Sequence, residues 1–143
     1  MNPAFASPGY CCIHSNTNLT PGHEITHILS HFSTPGSIKN EFIFEGIAVA
    51  FDQSDRDKEA FVRAYARRKK IEEFSIDSAW KNHGLYPKTL TYPLGGILVE
   101  RIIQQFGREK FIEFMQDQSY ENALKIFGDQ LQVLISTLEL ELQ

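Results

Sequence analysis

His23, Glu24 and His27 stand in the order His-Glu-x-x-His, with Ile25 and Thr26 between them. On a helix, positions i and i+4 lie one turn apart on the same face, so two imidazoles with this spacing can reach a single cation. Zn2+ is the ion that such a pair serves in hydrolytic sites. The glutamate projects slightly to the side, where its carboxylate can hold a metal-activated water and take its proton. The motif alone is modest evidence, because it arises by chance on the order of once in a few hundred chains of this size. The plainer alternative makes His23 and His27 ordinary polar residues on an exposed helix face.

A third ligand is needed, and Glu45 is the candidate. It lies 18 residues after His27, inside a stretch that is otherwise apolar: Phe42, Ile43, Phe44, Ile47, Ala48, Val49, Ala50 and Phe51. A helix apolar nearly all round is a buried one. A lone carboxylate there is costly unless something pairs with it, and coordination to a divalent cation would offset most of that cost. The alternative is a glutamate at the helix edge that reaches solvent. Three protein ligands and one open position make the usual catalytic zinc site.

The run HEITHILSHF followed by FEGIAVAF resembles the gluzincin metallopeptidases, in which a His-Glu-x-x-His helix is followed by a helix carrying a Glu-Gly-x-Ala ligand motif. Glu45-Gly46-Ile47-Ala48 matches that motif position by position. Tyr92-Pro93-Leu94-Gly95-Gly96 and the segment after it are similar to the Tyr-x-x-Gly region of the same group. The resemblance implies a zincin-like catalytic core, zinc held by His23, His27 and Glu45, Glu24 as general base, and a peptide or protein substrate. It also implies that Tyr92 donates a hydrogen bond to the oxyanion, a role its neutral phenol suits; the alternative is a packing tyrosine at a helix start. Departures stand beside the match. Gluzincins place a mixed sheet before the motif helix, whereas 22 residues precede His23 here. At most one strand fits, Tyr10–His14, along which a peptide could lie. That pattern implies a domain reduced, truncated, or completed by a missing N-terminal segment or a partner chain. The amine-recognition motif of gluzincin aminopeptidases is absent.

The elements that must position these residues are mostly helical. Thr20-Pro21 reads as a cap and first helical residue, opening a helix to about Phe32. Pro35 and Gly36 break the chain, and a second helix is expected from about Asn40 to Phe51. A long amphipathic helix is expected over Asp55–Phe74 and a shorter one over Ile76–Asn82. The loop His83–Pro87 leads to a helix over Tyr92–Phe106, which Gly107 ends. Segments Glu109–Gln116, Tyr120–Phe127 and Asp129–Leu142 complete one mainly α domain over residues 1–143, with one short N-terminal strand and a helical C-terminal subdomain.

Other chemistry is weaker. His31 shares the face of His27 one turn on and is an alternative ligand or a surface histidine. Asp52, seven residues after Glu45, could orient a ligating imidazole or simply be exposed. His14 and His83 have no partner at a recognisable spacing. There is no phosphate-binding glycine loop and no Gly-x-Ser-x-Gly elbow.

Composition limits the remaining classes. In 143 residues, hydrophobic types make up 42% and the net charge is −4, which suits one globular domain with no general attraction to nucleic acid. The basic run Arg67–Lys70 is ringed by acids and reads as a solvated helix face. No apolar run reaches the roughly 18 residues of a membrane span, and Met1–Tyr10 lacks the features of a signal peptide. Cys11 and Cys12 are adjacent, a geometry that disfavours a bridge between them. Two rival functions remain: a catalytically inactive zinc-binding or peptide-binding module, and a helical interaction domain whose motif is accidental.

Overall fold

The apolar segment after Asn40 sets the architecture. In the computed structural model, which describes residues 5–7, 10–12, 21–52, 55–71 and 73–143, that segment forms α2 (Glu41–Ala50) at the centre of a mainly α fold. Asn40 caps it, accepting from the Ile43 N–H. The same side chain donates to the Trp80 carbonyl at 2.9 Å. The buried Gln118 accepts the Asn40 N–H through Oε1, and its own carbonyl accepts the Trp80 indole N–H. Ile38 pairs with the same strip of chain, donating to Gln116 O and accepting from Gln118 N. These bonds fix where α2 begins, and therefore where Glu45 points.

Before α2 comes α1 (Pro21–Ser33), flanked by a two-stranded antiparallel ladder of β1 (Phe5–Ser7) and β2 (Tyr10–Cys12), registered Phe5 to Cys12 and Ser7 to Tyr10. A strand was expected at Tyr10–His14; the β1 partner was not. His14 and the Thr20 cap fall outside the described residues.

After α2 follow α3 (Lys58–Lys69), α4 (Ile76–Lys81), α5 (Lys88–Phe106), α6 (Arg108–Phe114), α7 (Tyr120–Phe127) and α8 (Asp129–Leu142). The largest departures from the expected boundaries are at α3 and α5. α3 is shorter than Asp55–Phe74 because Asp57 caps it, accepting from Ala60, and Lys70 ends it in the left-handed conformation at φ 55°. α5 begins four residues before Tyr92, so Pro93 lies within the helix rather than at its start. Its missing N–H forgoes the helical bond to the Thr89 carbonyl, a loss confined to the second turn of the helix. The basic run Arg67–Lys70 closes α3 with exposed residues, at the helix end where cations are favoured.

α5 is the helix on which α2 and α3 rest. It contributes Leu94, Ile97, Leu98, Val99 and Ile102 to the core, each at most 2% exposed. The crossing with α2 is made by glycines. A Cβ on Gly46 would stand 2.6 Å from the Gly95 carbonyl carbon, and one on Gly95 would stand 2.5 Å from Phe42 O. Around Trp80, the rings of Phe42, Phe114 and Tyr120 close the layer beneath α2. α8 adds Leu131, Leu134, Ile135, Leu138 and Leu142, with a period that lays one apolar face on the body. No described helix is long and apolar enough to cross a membrane.

Candidate metal centre

The first turns of α1 lie antiparallel to α2. Gly22 makes the approach possible, since a Cβ there would meet the Asp52 carbonyl oxygen at 2.9 Å. Further along, the His27 ring stacks on Phe44, with centroids 4.4 Å apart and planes at 28°. The helical spacing brings the His23 and His27 rings edge to face at 4.8 Å. Their Nε2 atoms are 3.2 Å apart. Glu45 reaches across from α2 and sets its Oε2 at 3.3 Å from His23 Nε2 and 3.4 Å from His27 Nε2.

Three donor atoms thus form a nearly equilateral triangle. The spacing has a chemical meaning. Ligands held at about 2.0–2.1 Å from a tetrahedral ion have their donor atoms roughly 3.3–3.4 Å apart. Two imidazole nitrogens and one carboxylate oxygen, from residues that are each half-buried, are a donor set of the right kind and spacing for such an ion. The fourth tetrahedral position has no protein ligand among the described residues.

Electrostatics couple the three groups. Burial alone would push the Glu45 carboxyl up, but hydrogen bonds from His23 and His27 outweigh it and bring the pKa down to about 2. For His23, burial would favour the neutral ring; the hydrogen bond and charge of Glu45, with the charges of Glu24 and Asp52, raise the pKa instead. Glu45 is therefore an anion throughout the ordinary pH range, as a ligand must be.

His27 is held differently from most ligating histidines, whose second nitrogen donates to a carboxylate or carbonyl. Its Nδ1 is buried and has no hydrogen-bond partner among the described residues. The Phe44 face fixes the ring instead, and Lys39 Nζ sits 4.5 Å over Phe44.

The other expected residues fall around this triangle. Glu24 follows His23 on α1, half-buried and close enough for its charge to act on that ring, and it is not among the converging ligand atoms. Asp52 also acts on His23 through its charge. His31 is outside the cluster and turns its ring against Phe32. Tyr92 lies in the second turn of α5, where its phenol donates to Glu41 Oε1 at 3.3 Å; Glu45 is near enough to help raise its pKa, after burial, the largest cause.

Some of the arrangement was not anticipated. Glu41, one turn before Glu45, binds His83 Nε2 at 2.5 Å and Lys88 Nζ at 3.0 Å. The i−4 spacing from Glu45 was a readable signal for a second carboxylate on that face. Its two partners arrive from the α4–α5 loop and the start of α5, which no local pattern predicts. Phe44 likewise read as core, although it is the platform under His27.

The chain matches no protein-family model, no curated protein and no solved structure.

Proposed function

We propose that this chain is a zinc-dependent peptide hydrolase with a zincin-like, gluzincin-type core. The observation that carries the reading is the triangle of His23 Nε2, His27 Nε2 and Glu45 Oε2, with edges of 3.2, 3.3 and 3.4 Å and sides supplied by two different helices. The quoted motifs, His-Glu-x-x-His and Glu-Gly-x-Ala, support it.

His23, His27 and Glu45 would hold the cation. A bound Zn2+ lowers the pKa of water and polarises a carbonyl. Glu24, adjacent to His23 and outside the ligand triangle, would take a proton from the attacking water. The water oxygen bonds to the carbonyl carbon and the C–N bond breaks. The leaving nitrogen receives the proton that Glu24 took, so one amide becomes one carboxylic acid and one amine. Tyr92 would donate to the developing oxyanion after exchanging its bond to Glu41 for one to the substrate.

That same bond favours a second reading. The Tyr92 phenol is already engaged at 3.3 Å with Glu41, which suits a catalytically inactive module that keeps the metal and binds peptides.

The deciding experiment measures zinc content and peptide hydrolysis in wild type, Glu24→Gln and His27→Ala. About one zinc per chain is expected in the first two and none in the third, with hydrolysis reduced by about 100-fold or more in Glu24→Gln. Full activity in Glu24→Gln would overturn the mechanism. Zinc without turnover in wild type would select the inactive module, and no zinc at all would leave a helical interaction domain.

A further inference from the structure

Beside the metal centre, between α2 and the α4–α5 loop, lies a recess of about 50 Å³ bordered by Glu41, Trp80, His83, Tyr86, Lys88 and Tyr92. Since one water needs roughly 10–15 Å³ measured in this way, the recess admits a group of a few heavy atoms and excludes most side chains. Its floor is aromatic and its rim is charged.

The hydrogen-bond capacity of that rim decides what could enter. Glu41 is the sole acid on it, and three donors already converge on its carboxylate: His83 Nε2, Lys88 Nζ and the Tyr92 phenol. A ligand ammonium would have to displace Lys88 from Glu41. An ammonium carries three N–H groups, and Lys88 directs hydrogen bonds to Glu41 and Tyr92, which leaves donor capacity over. Lys88 is 69% exposed and His83 is 70% exposed, so both can turn toward an incoming group. What the rim still offers is the remaining N–H hydrogen of the Lys88 ammonium, which suits a small anionic acceptor.

Position adds the second element. Glu41 and Glu45 are one helical turn apart on the same face of α2, about 6 Å along its axis. An extended peptide advances about 3.3–3.6 Å per residue. A group held on the rim is therefore one or two residues from a peptide bond placed at the metal centre.

We propose that this recess receives the free C-terminal carboxylate of a peptide, through Lys88 and His83, so that the hydrolysis releases one or two residues from the chain end. The assignment of the ligand as a peptide rests on the hydrolase reading above; the preference for a carboxylate does not.

The test uses two pools of N-acetylated random hexapeptides, one with a free C-terminus and one amidated, with zinc supplied to the full chain. Peptide retained by Glu24→Gln is measured by ultrafiltration and mass spectrometry, and products are measured for wild type. Glu24→Gln should retain the acid pool about tenfold better than the amide pool, as a charge-assisted hydrogen bond implies. Lys88→Met combined with His83→Ala, both at exposed positions, should bring the two pools within about twofold of each other. Equal retention of both pools by Glu24→Gln, including none of either, overturns the proposal, and so does a preference that survives the double substitution. Cleavage of both pools alike by wild type at internal bonds would leave the hydrolase reading standing and sink the recess. A preference for the acid pool with no cleavage by wild type would do the reverse.

Discussion

Gly46 and Gly95 touch backbone to backbone where α2 crosses α5, with no room for a methyl group on either side. Glu45 is the residue next to this contact, so the depth at which α2 seats on α5 also sets how far the Glu45 carboxylate reaches toward His23 and His27. The glycine of the Glu-Gly pair thus has a packing reason. Gly46→Ala and Gly95→Ala should each lower stability by about 1–3 kcal/mol or more, since backbone on the opposing helix cannot yield as a side chain can. Chemical denaturation measures this. Zinc affinity should fall along with stability, whereas a surface substitution such as Lys110→Ala should change neither.

Phe44 supports the His27 ring in place of a hydrogen bond to Nδ1. Stacked rings are worth about 0.5–1.5 kcal/mol beyond their burial. Phe44→Leu should therefore weaken zinc binding by roughly two- to tenfold, while Phe44→Tyr should restore it. Competition against a chromogenic chelator reads the affinity. Equal affinity in Phe44→Leu and wild type would show that the ring is held by something else.

Among the histidines of α1, only His23 and His27 join Glu45. On the proposed ligand set, removing the Glu45 charge in Glu45→Gln should cost roughly 100-fold or more in zinc affinity, beyond the usual cost of losing an outer-shell partner. His31→Ala should leave affinity unchanged. A loss in His31→Ala comparable to that in Glu45→Gln would mean that the wrong residue on α1 has been assigned.

Tyr120 supplies a prediction independent of the metal. Burial, first, and the hydrogen bond to Asp77 Oδ2 at 2.8 Å push its pKa from 10.0 up to about 12. The folded protein holds this proton more tightly than the unfolded chain does. The contribution is thus fully present below about pH 10 and is lost as pH rises through about 12. Tyrosinate absorbance should show a phenol that ionises well above pH 10, and Tyr120→Phe should remove that step. The variant should also flatten the fall in stability between those pH values.

The sequence made some parts of this molecule legible and others not, for physical reasons. Helix periodicity and terminators are local, so α7 and α8 are read to the residue and α1 nearly so. The ligand pair His23 and His27 is equally local, being a matter of one helical turn. Glu45 was visible as a carboxylate out of place in an apolar helix. The Asn40–Trp80–Gln118 network joins residues up to 78 positions apart and leaves no periodic trace. The end of α3 was misplaced because Lys70 adopts a conformation that favours glycine, so the composition carried no stop signal. The Glu41 cluster was missed for the same reason as the network: its partners come from separate elements.

The face of α1 away from the triangle has a consequence of its own. Ile25, Leu29 and Phe32 remain in solvent, so this helix buries little of its apolar side and has a weak hydrophobic reason to stay seated. Two of the three converging donor groups travel with α1 and the third belongs to α2, so an ion bound by all three would rivet one to the other. By linkage, whatever free energy binds the ion also opposes the departure of α1. In hydrogen exchange, the amides of α1 should slow on loading with zinc far more than those of α7 and α8, which would make the ion a fastening for a single helix as well as a reagent.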